Sequence, residues 1–179
     1  MASNYKIYFS KVWDIERISL EKVVNEANAI FSQKDYISLW EKTTGYSYSY
    51  SRFYAVICNS ILNGPQAIDI SNDKDIFNIP NNYTHFTQLV SHEFGIYIFK
   101  EYLSDFFNDS EFFQYYKAFE SLAGFYNQLI IKENIICWSG ELEYKDFYRD
   151  TYNENPQISP RELFLKAINR FNINSTNCV

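Results

Sequence analysis

The stretch THFTQLVSHEFGIYIFKEYLSDFF at 84–107, followed almost at once by EFFQYYKAFESLAGFYNQLI at 111–130, decides the fold class. In the first segment Phe86, Leu89, Val90, Phe94, Tyr97, Ile98, Phe106 and Phe107 recur at the spacing that lines a wide stripe of an α-helix. Phe112, Phe113, Tyr116, Phe119, Tyr126, Leu129 and Ile130 do the same in the second. Only Asn108 to Ser110 lies between them, and Asp109 or Ser110 is a good helix-capping residue, so the pair predicts an antiparallel hairpin of helices.

Toward the N-terminus, Leu20, Val23, Val24, Ala27, Ile30 and Phe31 follow Ser19, a favourable N-cap, and predict an amphipathic helix. Before it, Tyr5, Ile7 and Phe9 alternate with Lys6, Tyr8 and Ser10, the pattern of a short strand. Asp35 is placed to open a helix carrying Tyr36, Ile37, Leu39 and Trp40, which Thr43-Thr44-Gly45 stops. Tyr46, Tyr48 and Tyr50 alternate with serines, and Tyr50, Phe53, Tyr54, Ile57 and Ile61 then keep helical spacing up to Gly64-Pro65. From Gln66 to about Tyr83 the chain reads as a long loop.

Toward the C-terminus the apolar run Ile135, Ile136, Cys137, Trp138 ends at Ser139-Gly140, and an acidic segment begins. Ser159-Pro160-Arg161-Glu162 is a capping box with proline at the first helical position, opening a last helix with Leu163, Phe164, Ala167, Ile168 and Phe171 on one face. Residues 172–179 are polar and expected to fray. The expectation is an all-α single-domain bundle over 1–179, with about six helices and a short N-terminal strand element.

Composition narrows the function classes. A chain of 179 residues with 46% apolar content is of one-domain size. Sixteen Phe, 16 Tyr and 3 Trp exceed what a simple core needs, so some tyrosines are expected at the surface, where a ring with a polar tip suits a partner. A net charge of −6, with no long block of Lys or Arg, argues against direct nucleic-acid binding and favours a basic protein partner. No apolar run long enough for a signal peptide or a membrane span occurs, which predicts a cytoplasmic protein without membrane contact. Cys58, Cys137 and Cys178 are odd in number and lack CxxC spacing, so they read as reduced thiols, and Cys178 is misplaced for prenylation. The glycosylation triplets at Asn82, Asn108 and Asn174 are chance matches in an Asn-rich chain.

Reactive constellations are sparse. His92-Glu93 lies on a predicted helix like the start of a zinc-protease motif, but Ile96 stands where the second His must be, so no metal is expected. His85 shares that helical stripe, about 10 Å from His92 along the axis, too far for both to hold one ion. There is no Gly-x-Ser-x-Gly elbow and no phosphate-binding glycine loop, and no cofactor is expected. Gly95 and Gly124 fall inside predicted helices, where they suit close packing.

The segment holding Glu143, Asp146 and Asp150 is interleaved with Tyr144 and Tyr148, and on a helix its carboxylates form one edge. That edge, joined by Tyr46 and Tyr48, is the expected partner-binding surface, gripping Lys or Arg by charge and ring stacking. The leading expectation is a small acidic protein-binding module: an inhibitor or neutralising partner, such as an immunity protein or antitoxin, of a basic toxin or enzyme. The alternatives are a hydrolase or transferase using His92, Glu93 and His85, and a helical interaction scaffold or regulatory subunit.

Overall fold

The structure, a computed structural model, describes residues 2–61, 67–106, 112–132 and 142–171. Six α-helices carry most of it: α1 (Ala2–Phe31), α2 (Tyr36–Thr44), α3 (Tyr83–Tyr102), α4 (Phe112–Ile131), α5 (Leu142–Glu154) and α6 (Pro160–Arg170). Three short strands, β1 (Tyr54–Cys58), β2 (Ala67–Ser71) and β3 (Lys74–Asn78), form one small sheet, and a single 3₁₀ turn at Ser104–Phe106 follows α3. The mostly helical expectation with a small strand element therefore holds. Contacts divide this one-domain length of chain into two compact units, one made of 1–35 and 52–89, the other of 36–51 and 90–179.

In the first unit the strand element is not N-terminal. The alternation at Tyr5, Ile7 and Phe9 lies within α1, which runs unbroken because no Gly or Pro occurs before Gly45. Ser19 does not cap it; its hydroxyl donates back to the Glu16 carbonyl at 2.9 Å, a bond made within a continuing helix. The sheet lies instead at 54–78, where a helix and a loop were expected. Strand β3 is central, parallel to β1 and antiparallel to β2, with Val56 and Ile68 both in register with Ile76. Tyr-Ala-Val-Ile-Cys is rich in residues that suit a pleated surface, and pairing with a strand twenty residues away outweighs its weak helical spacing. The inner face packs through Phe77 on Phe86, which also meets Phe31 edge-on from α1. Tyr83 donates to Glu26 at 2.5 Å and Asn59 to Glu16 at 2.9 Å, tying the α3 start and the end of β1 to α1.

The second unit is organised by a tryptophan. Trp40 is fully buried, its indole N–H donates to the Ser91 hydroxyl at 3.0 Å, and its ring meets Phe94 and Phe99 edge-on. Helix α2 ends at Gly45, whose φ of 74° suits a residue without a Cβ. Helix α4 packs against α2, α5 and α6, and α5 against α6. The α6 capping box forms as its sequence dictates, Ser159 accepting from the Glu162 amide while the Glu162 carboxylate accepts from the Ser159 amide.

Helices α3 and α4 touch where His92 meets Glu120 and Phe99 meets Tyr126, and Phe106, just past α3, meets Tyr115 near the start of α4; the turn expected between them lies outside the described residues. The expected caps at Asp109 and Ser110, the stops at Gly64-Pro65 and Ser139-Gly140, and the tail at 172–179 lie outside the described residues.

A Cβ at Gly95 would lie 2.1 Å from the Trp40 ring, a distance no side chain tolerates. Gly95→Ala gains about 1 kcal/mol of helix propensity, but the overpacking outweighs it, and we expect a net loss of about 2 kcal/mol. Chemical denaturation checks this, and a smaller loss for Gly95→Ala in a Trp40→Phe background identifies the indole as the cause.

Candidate functional site

Helix α5 divides its residues sharply by face. Glu143, Asp146 and Asp150 are exposed, whereas Tyr144 and Tyr148 point inward and are buried, Tyr148 completely. The Tyr148 hydroxyl donates to the Ala118 carbonyl at 2.9 Å, and its ring lies against Phe125. Tyr144 packs on Phe171, with ring centroids 4.2 Å apart. The expected mixed edge is thus corrected: the carboxylates face out, but the rings between them are core and cannot stack on a partner. An α-helix forces this result, because residues two apart fall on different faces.

Tyr46 and Tyr48 are corrected likewise. Tyr48 is buried against Phe94, its amide donating to Glu41 at 2.8 Å. Tyr46 is half-buried and stacks flat on Tyr102, centroids 4.1 Å apart, while Tyr102 accepts from the Ser47 amide at 3.0 Å. Nearby, Arg161 lies over the Phe106 ring and holds Asp105 and the Tyr102 carbonyl, joining α6 to the end of α3. These rings build a fixed wall, not a contact patch on α5.

The acidic edge is partly neutralised from within. Arg149 reaches Asp146 at 2.8 Å and Asp150 at 3.2 Å, so the two carboxylates flank one guanidinium. Their charges, Asp146 foremost, hold Arg149 more firmly protonated than a free arginine. Glu143 completes the exposed row.

The histidine constellation also changes membership. His92 is buried on α3, and its Nε2 lies 3.0 Å from the Glu120 carboxylate on α4. Glu93, its sequence neighbour, is half-buried and turned away by the 100° step between successive helical residues. Sequence reading missed Glu120 because the partner stands 28 positions away, and no local spacing reports a tertiary pair. His85 is two helical turns from His92 and lines a separate cleft of 130 Å³ with Asn78, Pro80, Asn81, Asn82, Phe86 and Leu89. Asn82 caps α3 there, its side chain accepting from the His85 amide at 3.2 Å. Among the described residues no group of three His, Cys, Asp or Glu is arranged to hold a metal ion, and no helix is long and apolar enough to cross a membrane.

No protein-family model, curated protein or solved structure matches this chain.

Two outcomes follow from this geometry. Removing the imidazole takes a hydrogen-bond partner from a carboxylate only 12% exposed and leaves a hole beside it, so His92→Ala should cost about 2 kcal/mol in denaturant melts; a catalytic histidine in an open pocket would leave stability unchanged. Burial, and to a lesser degree Tyr144, pushes the Tyr148 hydroxyl well above the ordinary value of 10.0. Its contribution is complete below pH 10 and declines as rising pH ionises the unfolded chain first, by about 1.4 kcal/mol per pH unit. Alkaline melts of Tyr148→Phe should therefore fall less steeply with pH than those of the parent.

Proposed function

We propose that this chain works by binding a basic protein, as an inhibitor or neutralising partner of the immunity-protein or antitoxin kind, through the outward edge of α5. The observation that carries this reading is the grip of Asp146 and Asp150 on one guanidinium. Arg149 is exposed and held only by surface contacts, so an arginine from a partner can exchange into the same two-carboxylate site without breaking any buried interaction. Glu143, one turn earlier, supplies a further anion for a neighbouring Lys or Arg. Beneath this edge the buried Tyr144 and Tyr148 fix the helix, so the carboxylates are presented without a cost of ordering the backbone.

The net charge of −6 supports the same choice of partner, because long-range attraction speeds encounter with a cationic protein and repels acidic ones. Rings do not contribute on this face, so recognition rests on charge and hydrogen-bond geometry. The hydrolase or transferase reading is weaker, since the Nε2 of His92 is already engaged by Glu120 and its ring is buried. Deep burial suits a structural pair better than a proton relay to substrate.

Basic proteins from the native host, collected on a cation exchanger, supply the test. A partner retained by the parent chain should bind the Asp146→Lys, Asp150→Lys double variant at least about tenfold more weakly, equivalent to about 1.4 kcal/mol. Its association should also slow as salt is added. Equal affinity for both proteins, with a rate indifferent to salt, overturns the proposal.

A further inference from the structure

The cleft beside His85 lies wholly within the first unit and takes no part in the α5 edge or the His92 pair. One wall is a stripe of α3, with Phe86 and Leu89 buried along it and His85 half-buried. The other is the short passage from β3 to α3, where Asn78 and Pro80 are half-buried and Asn81 and Asn82 are exposed. These walls are fixed before anything enters. Phe86 meets Phe77 and Phe31 edge-on, and Asn78 donates to the Ile79 carbonyl at 3.0 Å. Asn82 accepts from the Phe86 amide at its carbonyl and from the His85 amide at its side chain. The ring of Pro80 locks its own φ. A preformed recess of this kind asks little ordering of what it binds.

Size and lining narrow the ligand. The cleft measures 130 Å³, close to the roughly 150 Å³ of an apolar cavity that admits benzene, so there is room for one six-membered ring. None of the described residues lining it carries a carboxylate, ammonium or guanidinium, and a chain of net charge −6 repels anions. A neutral ring fits best. Asn82 spends its side-chain oxygen on the His85 amide, which leaves its Nδ2 hydrogens to donate. The His85 imidazole has no partner among the described residues, and a neutral imidazole accepts at one nitrogen. A donor and an acceptor on successive edges of one recess match a lactam edge, in which a C=O adjoins an N–H.

We infer that this cleft binds a neutral, planar six-membered lactam, a pyrimidine of the uracil type, with Asn82 donating to a ring carbonyl, His85 accepting from a ring N–H, and Phe86 and Leu89 covering the apolar side. A ring of about eight non-hydrogen atoms held this way has a Kd on the order of 1 mM. The ring is either free or carried on a sugar, and the cleft chemistry is the same for both.

Uracil is the probe, titrated into the full chain while NMR follows the imidazole signals of its two histidines. His85 should shift saturably, and His92, buried against Glu120, should not. Asn82→Asp keeps the α3 cap, because aspartate accepts the same amide, but it removes the donor. That variant should bind uracil at least about tenfold more weakly with an unchanged circular dichroism spectrum. Uracil methylated at both ring nitrogens, which has no N–H, should bind the parent at least about tenfold more weakly than uracil does. Uridine separates the two sources: affinity equal to that of uracil identifies a ring carried on a sugar, exclusion of uridine identifies the free base, and either result upholds the site. A His85 signal unmoved by uracil at about twenty times that Kd overturns the inference. So does equal binding of the methylated ring, or equal affinity of the parent and Asn82→Asp.

Discussion

The second unit depends on the contact between the indole of Trp40 and the bare backbone at Gly95. A side chain at that point would push α2 off α3, and the hydrogen bond from the indole to Ser91 would be lost with it. From this contact a chain of rings extends outward: Trp40 meets Phe99, Phe99 meets Tyr126 of α4, and Tyr126 meets Tyr152 of α5. Each ring buries a large apolar area with few rotatable bonds, so an interior built this way is stiff. Truncating any one such residue leaves a hole that costs about 3–5 kcal/mol.

That interior takes up part of the tyrosine surplus, while Tyr50, Tyr54, Tyr102 and Tyr116 reach the surface as their number led one to expect. Tyr48, Tyr97, Tyr115, Tyr126, Tyr144 and Tyr148 are buried, and a tyrosine placed so can keep its ring inside while its hydroxyl bonds a carbonyl or carboxylate. Tyr148 does so at Ala118, and the half-buried Tyr83 at Glu26, which raises its hydroxyl to about 12 chiefly through that hydrogen bond. Aromatic abundance in this chain is a packing device more than a reserve of surface contacts. For α5 the consequence is a division of labour, with rings anchoring the helix and carboxylates meeting solvent.

Local chemistry was the legible part. Ser159, Pro160 and Glu162 announce α6 because a capping box is complete within four residues, and α2 is bracketed by Asp35 and Gly45 for the same reason. The 54–78 sheet was less legible. Its strands are five residues each, too short for period alone to separate from a helix turn or a loop, and β1 acquires its identity from Lys74–Asn78, far along the chain. Ile68 and Ile70 alternating before Asn72-Asp73 pointed there, as did the β-branched and aromatic content of Tyr54–Cys58.

The sequence by itself determined the helical class, the central place of 84–130, the net negative charge and the row of carboxylates on α5, since each follows from composition or from spacing within a turn or two. Only the tertiary structure decided which rings face inward, that Glu120 and not Glu93 accompanies His92, and that Val12, Ile15 and Ile18 are left uncovered. Those outcomes depend on which distant segment arrives against each helix face. Such arrivals are settled by shape and packing across the whole fold, and no window of neighbouring residues contains them.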